Sequence, residues 1–389
     1  MSSSSTTTAG SSTAAPDDKC VLHYLGEYLK VTMTWVYNQI QYNNEYRHQV
    51  VTQSTENLDI FPTENIYSLD SLSSARQIYN KVAYRLRGYY PDFASQNKPS
   101  LIQAHFGHYG YKALGLKRKM NVPLATFFYG YEMSSLAKNA KYQRRYHELF
   151  REGELFLVIG NAMKKSVMGM GCPENKITIF HLGVDVEHYP FRERTWHEGE
   201  NITLLFAANF GEKKGLPYAI RAFAKAHKRH KHLRFRIIGD GPNRKEIESL
   251  IAELGVGDAV ELKGFVPYST LVDEMMRADL FIQPSVTASN GNTEGGYPVA
   301  VLDAQATGMP ILTTRHADNP ECVLKDKSAK ISEERDWETL GQQLIDLVEA
   351  PQTWPAMGHA GRAHVDQQYN ARTQGRVLAK IYDRLIDSL

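Results

Sequence analysis

The chain has 389 residues, 42% hydrophobic and 23% charged, which is typical of a globular protein large enough for two cores. Its formal net charge of +2 excludes a protein whose whole surface is basic, so we expect no nucleic-acid partner. Three isolated cysteines, Cys20, Cys172 and Cys322, lack the spacing of a metal site and indicate reduced thiols.

The chain opens with a Ser/Thr-rich stretch, residues 1–18, which has almost nothing to bury. We expect it to be disordered or left over from cloning. No apolar run approaches the roughly 20 residues of a membrane span, and no secretory signal pattern is present. These features predict a cytoplasmic protein. They neither predict nor exclude a peripheral contact with the inner face of the membrane.

From residue 19 onward, short β-branched or aromatic runs alternate with helix-length amphipathic segments, which predicts a parallel sheet covered by helices. The strands are predicted at 20–25, 48–53, 101–106, 123–128, 155–160 and 176–183. A basic helix is predicted over 138–153, with Ala140, Tyr146, Leu149 and Phe150 roughly on one side. We favour a solvated face for its cations over a membrane-docking face.

A polar, irregular stretch around Pro190 predicts a linker at 191–200 between an N-terminal domain (19–190) and a C-terminal domain (201–368). The alternation then resumes, with strands predicted at 202–210, 233–241, 259–266, 279–285 and 310–314. The last segment, 369–389, is predicted to be mainly a helix that covers another surface. The expected fold is α/β, with two Rossmann-like domains facing across a cleft and ligands at the carboxyl ends of the strands.

The segment TEGGYPVAVLDAQATG (293–308) predicts a helix that exposes its N-terminus to the cleft. Pro298 is placed at the helix start and Gly308 at its end, so the helix should span 299–307. The unpaired N–H groups behind Gly295, Gly296 and Tyr297 suit an anion, and the two glycines would let a ligand approach the main chain.

Two carboxylates flank that anion site. Asp303 suits the vicinal hydroxyls of a ribose, and Glu294 can accept hydrogen bonds from a second polyol. A diphosphate flanked by two diols is a nucleotide sugar. The alternative is structural: Asp303 satisfies buried backbone or an arginine, and Glu294 only caps the helix.

Other cleft residues are weaker signals by themselves. In GEKKGL (211–216), Lys213 or Lys214 follows a strand and could neutralise a departing diphosphate. The turn IIGDGP (237–242), with Gly241, could shape the wall of a nucleobase slot; it is not a GxGxxG motif. His105 and His108 end a strand near the predicted acceptor site, although such histidines are more often structural.

Five motifs in order, FGEKKGL, IIGDGP, VELKGFV, DLFIQPS and EGGYPVAVLDAQATGMPI, resemble the donor domain of glycosyltransferase family 4, whose retaining enzymes have the GT-B fold. LIQAHFG, PLATFFYGYE and KITIFHLGVDVEHY resemble the same family, especially its bacterial exopolysaccharide branch of the colanic-acid type. The resemblance covers the chain from about Cys20 to the last helix. It implies that this helix crosses back onto the first domain.

The resemblance also implies residue roles. Glu294 would contact the transferred sugar, Asp303 the ribose, Lys214 the diphosphate, and backbone near Val266 the base. Gly26 would approach the phosphates from the other domain. The FYGYE segment (128–132) matches the family's FHGYD motif and places Tyr129, Tyr131 and Glu132 at the acceptor side.

Three departures from the family pattern stand out. Asn209 lies where the family commonly has an arginine, which removes one phosphate-neutralising cation. Tyr129 replaces the histidine that usually faces sugar and acceptor. Asp303 replaces a glutamate and reaches up to about 1.5 Å less far. These changes favour altered specificity over lost activity, because the lysine, the helix N-terminus and both acids remain.

The leading hypothesis is a retaining glycosyltransferase that moves a hexose-type sugar from a UDP- or GDP-sugar to a saccharide or lipid-linked saccharide. Glu294 and Lys214 are its predicted catalytic pair, and neither a metal nor a cofactor is expected. The alternative is a catalytically weak homologue that binds sugar nucleotide or glycan as a scaffold. Sugar-nucleotide epimerisation is less favoured, and dinucleotide oxidoreduction least. A homo-oligomer is left open.

Overall fold

The first half of the chain builds one parallel sheet in the computed structural model, which describes residues 19–95 and 98–388. The tail predicted to be disordered lies outside these residues. The strands are β1 Cys20–Tyr24, β2 Arg47–Thr52, β3 Ile66–Ser68, β4 Leu101–His105, β5 Leu124–Phe128, β6 Leu155–Val158 and β7 Ile177–Ile179. The helices are α1 Thr34–Gln41, α2 Ser74–Arg87, α3 Pro91–Ala94, α4 Gly107–Met120, α5 Tyr131–Ser134, α6 Ala140–Glu152 and α7 Asn161–Gly169.

The second half builds a second parallel sheet. Its strands are β8 Ile202–Ala207, β9 Leu233–Ile238, β10 Val260–Gly264, β11 Leu280–Gln283, β12 Ile311–Thr314 and β13 Ala329–Ser332. Its helices are α8 Leu216–Arg229, α9 Arg244–Glu253, α10 Tyr268–Arg277, α11 Val299–Ala306, α12 Trp337–Glu349 and α13 Trp354–Gln368. A final helix, α14 Ala371–Asp387, follows.

The order of the strands in each sheet shows where a ligand-binding cleft is expected. The orders are β3-β2-β1-β4-β5-β6-β7 and β10-β9-β8-β11-β12-β13, with every neighbouring pair parallel. The strand order reverses beside β1 in one sheet and beside β8 in the other, which is where such folds bind ligands. The predicted α/β fold of two Rossmann-like units is therefore confirmed. Strands β3 and β13, both short edge strands, were not predicted.

Helix α14 packs back onto the first half of the chain. Leu378, Ile381 and Leu385 are buried in the same cluster as Val36 and Ile40 of α1. The last helix therefore covers a surface of the first half, as predicted, although its Val377 remains 38% exposed.

One buried carboxylate joins the two halves beside the cleft. Asp318, which follows β12, accepts a hydrogen bond at 2.7 Å from the backbone N–H of Ala162, in the first turn of α7. Gly160 leaves the space for it, because a Cβ there would lie 2.3 Å from Asp318 Oδ2. Burial raises the Asp318 carboxyl pKa to about 6, although backbone N–H groups of α7 oppose the rise. The N-terminus of α7 is thus one of the contacts that join the halves.

Candidate donor site in the cleft

A cavity of 430 Å³ opens between the two halves, at the carboxyl ends of β8 and β11. The residues that line it from the first half are Val31, Thr32, Thr34, Trp35, Tyr129, Ile159 and Leu182. Those from the second half are Ala207, Ala208, Asn209, Lys213, Lys214, Val266, Tyr268, Leu271, Gln283, Glu294, Tyr297, Pro298, Val299, Ala300 and Asp303. Both sheets therefore contribute to one binding space.

Most of the predicted donor residues meet in this cavity. Those that line it are Glu294, Lys214, Lys213, Asn209, Val266, Tyr297, Pro298 and Asp303, together with the predicted acceptor residue Tyr129. The predicted residues outside the lining are Gly26, Gly241, Gly295, Gly296, His105, His108, Tyr131 and Glu132. The residues of this second group lie elsewhere, as described below for each.

Glu294 is a buried carboxylate held by two cations. Its Oε2 lies 2.9 Å from the Lys214 ammonium and 3.4 Å from that of Lys213, and its Oε1 accepts a hydrogen bond from Ser285 at 3.0 Å. Burial raises the pKa of Glu294, but Lys214 and then Lys213 outweigh it and hold the pKa at about 2. Glu294 is therefore ionised at neutral pH and carries the negative charge that the two lysines neutralise.

The backbone of Glu294 is fixed from behind by His316. The Glu294 N–H donates to His316 Nε2 at 3.0 Å, so the other ring nitrogen, Nδ1, carries the proton and donates to Glu334 at 2.6 Å. His316 is 1% exposed and does not line the cavity. It orients the carboxylate loop without touching the cavity itself.

Asp303 pairs with a tyrosine, not with an arginine. The Tyr189 hydroxyl hydrogen-bonds the carboxyl and also contacts the Tyr268 hydroxyl. Burial raises the Asp303 pKa to about 7, and the Tyr189 hydrogen bond opposes the rise only partly. A buried carboxylate without a cation is costly, so Asp303 is set up for a ligand that donates hydrogen bonds.

The N-terminus of α11 faces the cavity. Pro298, Val299 and Ala300 are consecutive lining residues, and no side chain caps the helix. The Val301 N–H already donates to the Pro298 carbonyl at 3.1 Å, so the N–H groups of Val299 and Ala300 are the donors that this turn offers to an anion. Tyr297 supports this turn, because its hydroxyl accepts a hydrogen bond from the Leu182 N–H at 3.0 Å.

Gly295 and Gly296 pack at the contact between the halves, on the side where a Cβ would project; that they also admit a ligand stays a prediction. A Cβ at Gly295 would lie 2.2 Å from Gly130 Cα, and one at Gly296 would lie 2.0 Å from Ile159 Cδ1. Gly295 also has a positive φ of 77°, which favours glycine. The glycines therefore let the Glu294 loop pack against the first half.

The other two predicted glycines are also covered by protein. A Cβ on Gly26 would fall 1.9 Å from the Tyr109 hydroxyl, so this glycine packs beneath a tyrosine and not beside the cavity. A Cβ on Gly241 would lie 2.9 Å from the Phe210 backbone nitrogen. Phosphate contact by Gly26 would require Tyr109 to move.

Glu132 is used by the protein backbone, which corrects its assignment to acceptor binding. It is fully buried, and its oxygens accept hydrogen bonds from the N–H groups of Tyr129 at 2.7 Å and Gly130 at 3.2 Å. Tyr131, by contrast, is 53% exposed at the start of α5. His108 is partly buried against the Tyr109 ring, at 4.1 Å between centroids.

His105 is also buried, inside a hydrogen-bonded chain of histidines that spans three strands. The chain runs from Tyr129 to His105 (2.7 Å), His23 (3.0 Å), His48 (2.8 Å) and the Asn43 carbonyl (2.7 Å). Burial lowers the pKa of His105 to about 3 and also lowers the pKa values of His23 and His48. The carbonyl can only accept, so neutral rings require each group to donate toward Asn43.

This chain corrects the placement of His105 at the acceptor. Its two ring nitrogens are occupied by His23 and Tyr129, and its side chain is fully buried. It fixes Tyr129 instead, whose ring lies 4.2 Å from Trp35 between centroids. Tyr129 and Trp35 then form the cavity wall on the side of the first half.

The sequence reading missed several lining residues, notably Trp35, Tyr268 and Gln283. Tyr268 could have been found, because it begins α10 only two residues after Val266, whose backbone was already predicted to lie near the base. Trp35 gave no such signal, since α1 lies far from every motif in sequence. Among the described residues, no group of three or more His, Cys, Asp or Glu side chains is placed to hold a metal ion, and no helix is long and apolar enough to cross a bilayer.

Comparison with known families matches both halves of the chain. A family model described as Glycosyltransferase Family 4 matches residues 42–188, and one described as Glycosyl transferases group 1 matches residues 190–364. Together they span almost all of the two sheets.

Individual relatives agree. The chain is 33% identical to a protein of Escherichia coli named as a colanic acid biosynthesis glycosyltransferase, WcaL, over 75% of this chain and 72% of the relative. It is 30% identical to the amylovoran biosynthesis glycosyltransferase AmsK of Erwinia amylovora, with the same coverage. Its fold is similar to that of HepE from Anabaena, crystallised with UDP and glucose, with a TM-score of 0.73, 16% identity, and coverage of 94% of this chain and 100% of HepE.

Proposed function

Because this chain belongs to glycosyltransferase family 4, in its exopolysaccharide branch, we propose that it transfers a hexose from a nucleoside-diphosphate sugar to a saccharide or lipid-linked saccharide. The class itself is established: the chain is a glycosyltransferase with the GT-B fold. The proposal adds the donor, the acceptor, the retention of configuration and a role in polysaccharide assembly, which is the process named for both relatives. One observation carries it: two lysines, a free helix N-terminus and two buried carboxylates share one cavity.

In the proposed complex, the groups of the donor follow one order along the cavity. The diphosphate takes Lys214 and the first turn of α11, where an ammonium and free N–H groups supply positive charge. The ribose lies beside Asp303, further along the same helix, and the base lies near Val266 and Tyr268. The sugar is left beside Glu294, whose carboxylate accepts hydrogen bonds from its hydroxyls.

The chemistry follows from charge development at the leaving group. As the glycosidic bond lengthens, negative charge grows on the diphosphate, and Lys214 and the helix N-terminus stabilise it. The acceptor hydroxyl attacks from the face that the diphosphate leaves, and the departing phosphate oxygen takes its proton. Configuration is retained, and no protein nucleophile is assigned. The proposal also assigns no step to a metal ion, because protein cations neutralise the leaving group.

UDP and GDP are both candidate nucleotides. UDP is supported by the HepE structure, whose bound ligands are UDP and glucose and whose fold this chain shares. The cavity contributes aromatic and aliphatic surface from Tyr268, Leu271 and Val266 at the proposed base position. These side chains offer stacking and packing surface to a purine or a pyrimidine.

A second candidate is a glycan- or nucleotide-binding homologue with weak turnover. The observation that favours it is Asn209, which stands where the family commonly has an arginine. Its Oδ1 accepts a hydrogen bond from the Gly211 N–H at 3.1 Å and so completes its own turn. Among the described lining residues, Lys213 and Lys214 are then the only cations left for the diphosphate.

Product analysis separates the two candidates. A panel of UDP- and GDP-hexoses is incubated with wild type and with Glu294→Gln, with and without polysaccharide-derived acceptors, and free nucleoside diphosphate is measured. The proposal expects donor-specific release that the variant loses, and an NMR spectrum of the product that shows the donor's anomeric configuration. Tight donor binding with no release for any acceptor would instead support the binding homologue.

A further inference from the structure

Lys112 of α4 and Arg145 of α6 share one patch on the first half of the chain, and neither has a counterion. Both residues are partly buried, and within the part of the chain that the structure describes neither side chain takes part in an ion pair or a hydrogen bond. Burial, and then the positive charge of Arg145, lowers the pKa of Lys112, and no carboxylate of the described chain opposes this shift. Two partly buried cations that repel each other are stabilised when an anion binds between them.

Tyrosine rings hold both cations in place. The Lys112 ammonium lies 4.8 Å from the centroid of the Tyr109 ring. The guanidinium carbon of Arg145 lies 5.0 Å from the Tyr111 centroid and 5.6 Å from the Tyr142 centroid. Ring faces attract a cation but do not neutralise its charge. The N–H groups of both cations therefore remain donors for a ligand.

His108 adds an unpaired polar atom to the same face of α4, one turn before Lys112. Its Nδ1 is buried and has no hydrogen-bond partner among the described residues. Burial, and then the charge of Lys112, lowers the His108 pKa to about 4, so the ring is neutral at neutral pH. A buried polar atom without a partner is costly, which indicates that a ligand completes this group.

These residues (His108, Tyr109, Tyr111, Lys112, Tyr142 and Arg145), the α4–α6 patch, adjoin the wall of the cavity. The Phe106 ring lies 6.5 Å from the Tyr109 ring and 4.9 Å from the Tyr129 ring, between centroids, and Tyr129 lines the cavity. Aromatic contacts therefore lead from the cavity to the patch over a distance that a short oligosaccharide can span. Neither cation of the patch lines the cavity itself, so the patch is separate from the proposed diphosphate site.

We propose that the α4–α6 patch binds a carboxylate of the acceptor, which makes the acceptor an acidic saccharide. The inference rests on the proposed function, because it takes the saccharide on the first half of the chain to be the acceptor. The Arg145 guanidinium and the Lys112 ammonium hold the carboxylate oxygens, and the planar fork of the arginine matches both of them. The tyrosine rings offer their faces and hydroxyls to the neighbouring sugar rings. The donor phosphates have Lys213 and Lys214 in the cavity, so the patch is left for the acceptor.

The test measures saccharide binding to the full chain by isothermal titration calorimetry, without donor. Short oligosaccharides that contain glucuronic or galacturonic acid are compared with the same oligosaccharides after reduction of their carboxyls to hydroxymethyl groups. Phosphorylated neutral oligosaccharides form a third set. We expect the acidic set to bind about tenfold or more tighter than the reduced set, with a preference that weakens as salt is raised.

Variants make the test specific to the patch. Arg145→Gln and Lys112→Gln should each remove most of the preference for the acidic set. Arg145→Lys should keep part of it, because the charge remains and the planar fork is lost. The matched controls Arg144→Gln and Lys119→Gln, at exposed cations of the same two helices, should bind like wild type. Thermal unfolding checks that all five variants fold.

Three results would overturn the proposal: equal affinity for the acidic and reduced sets, a preference that Arg145→Gln and Lys112→Gln both retain, and tighter binding of the phosphorylated set. Release of nucleoside diphosphate tests the transfer separately. Turnover that is as fast with reduced acceptors as with acidic ones would contradict the acidic acceptor and leave the proposed transfer standing. Charge-dependent binding without any release would support the patch and contradict the transfer.

Discussion

The Lys214 ammonium lies 2.9 Å from Oε2 of Glu294, so the two predicted catalytic residues are paired with each other before any ligand enters. This contact keeps Glu294 ionised although it is buried, and Lys214 lines the same cavity as the N-terminus of α11. In the proposed donor complex, the diphosphate shares Lys214 with Glu294. Binding of the donor and the state of the carboxylate are therefore linked.

Lys214→Met should weaken binding of nucleoside diphosphate by about 10- to 100-fold, because a hydrogen bond between charged groups contributes roughly 1.5–3 kcal/mol. Lys213→Met should cost less, since the Lys213 ammonium lies 3.4 Å from Glu294 and donates to the Thr293 carbonyl at 2.9 Å. Isothermal titration calorimetry with UDP and GDP measures both, with the exposed Lys228→Met as a control. Equal affinity in wild type and Lys214→Met would remove this lysine from the phosphate site.

Donor affinity should rise with pH through the ionisation of Asp303. Its pKa is about 7, raised by burial, and the ionised carboxylate accepts hydrogen bonds from two ribose hydroxyls better than the protonated carboxyl, which carries a proton on one oxygen. Wild-type affinity for a UDP- or GDP-sugar should therefore increase about tenfold between roughly pH 6 and pH 8. Asp303→Asn should bind more weakly, with little pH dependence. A wild-type affinity that is constant over this range would contradict the ribose assignment.

The stability of Asp303→Asn shows whether a loss of donor affinity comes from a lost ribose contact or from misfolding. The folded pKa of Asp303 lies above its unfolded value of 3.8, so its ionisation costs stability as pH rises through about 7. Asp303→Asn should then unfold at a higher temperature than wild type at about pH 8, while it loses donor affinity. Calorimetric melting curves at both ends of the pH range provide this control.

Gly295→Ala should lower turnover far more than it disturbs the rest of the fold. Its Cβ would lie 2.2 Å from Gly130 Cα at a φ of 77°, so the Glu294 loop must shift, and such misplacement costs on the order of 100-fold in kcat/KM. Gly296→Ala meets only the end of the Ile159 side chain and should cost less. Adding Ile159→Ala should restore part of the loss for Gly296→Ala and none for Gly295→Ala. Equal effects of the two alanines would refute this packing role.

Local signals in the sequence predicted the site better than long-range ones. Pro298 and Gly308 placed α11 at 299–307, and the structure has it at Val299–Ala306. Glu294, Lys214 and Asp303 could be grouped because the carboxyl ends of parallel strands meet at one edge. The role of Gly295 could not be predicted, because its partner Gly130 lies in the other half of the chain.

Two further features, the edge strands β3 and β13 and the contact between three histidines, also could not be predicted from local sequence patterns. Strands β3 (IYS) and β13 (AKIS) are short edge strands that lack the continuous apolar runs of the equally short interior strands β6 (LFLV) and β11 (LFIQ). His23, His48 and His105 all lie in strands predicted correctly, yet their contact depends on β1 lying between β2 and β4. Strand order is set by tertiary packing, which a single sequence does not display.

This histidine chain should make folding stability depend on pH. Burial lowers the pKa values of His23, His48 and His105 in the folded state. Below about pH 6.5, the pKa of an unfolded histidine, the unfolded chain therefore binds more protons than the folded chain. The contribution to stability is fully present above pH 6.5 and is lost as pH falls toward the folded pKa, which for His105 is about 3. Each neutral buried histidine can contribute a slope of up to about 1.4 kcal/mol per pH unit.

His105→Gln should flatten this dependence, because glutamine can occupy both hydrogen-bonding positions but does not titrate. The free energy of unfolding, measured with urea, should fall for wild type between about pH 7 and pH 5. It should fall less for His105→Gln over the same interval, even if this variant is less stable at about pH 7. The exposed His197→Gln is the matched control and should follow wild type. If wild type and His105→Gln lose the same free energy of unfolding over this interval, His105 is not neutral in the folded chain, and the donor direction assigned from Tyr129 to Asn43 fails with it.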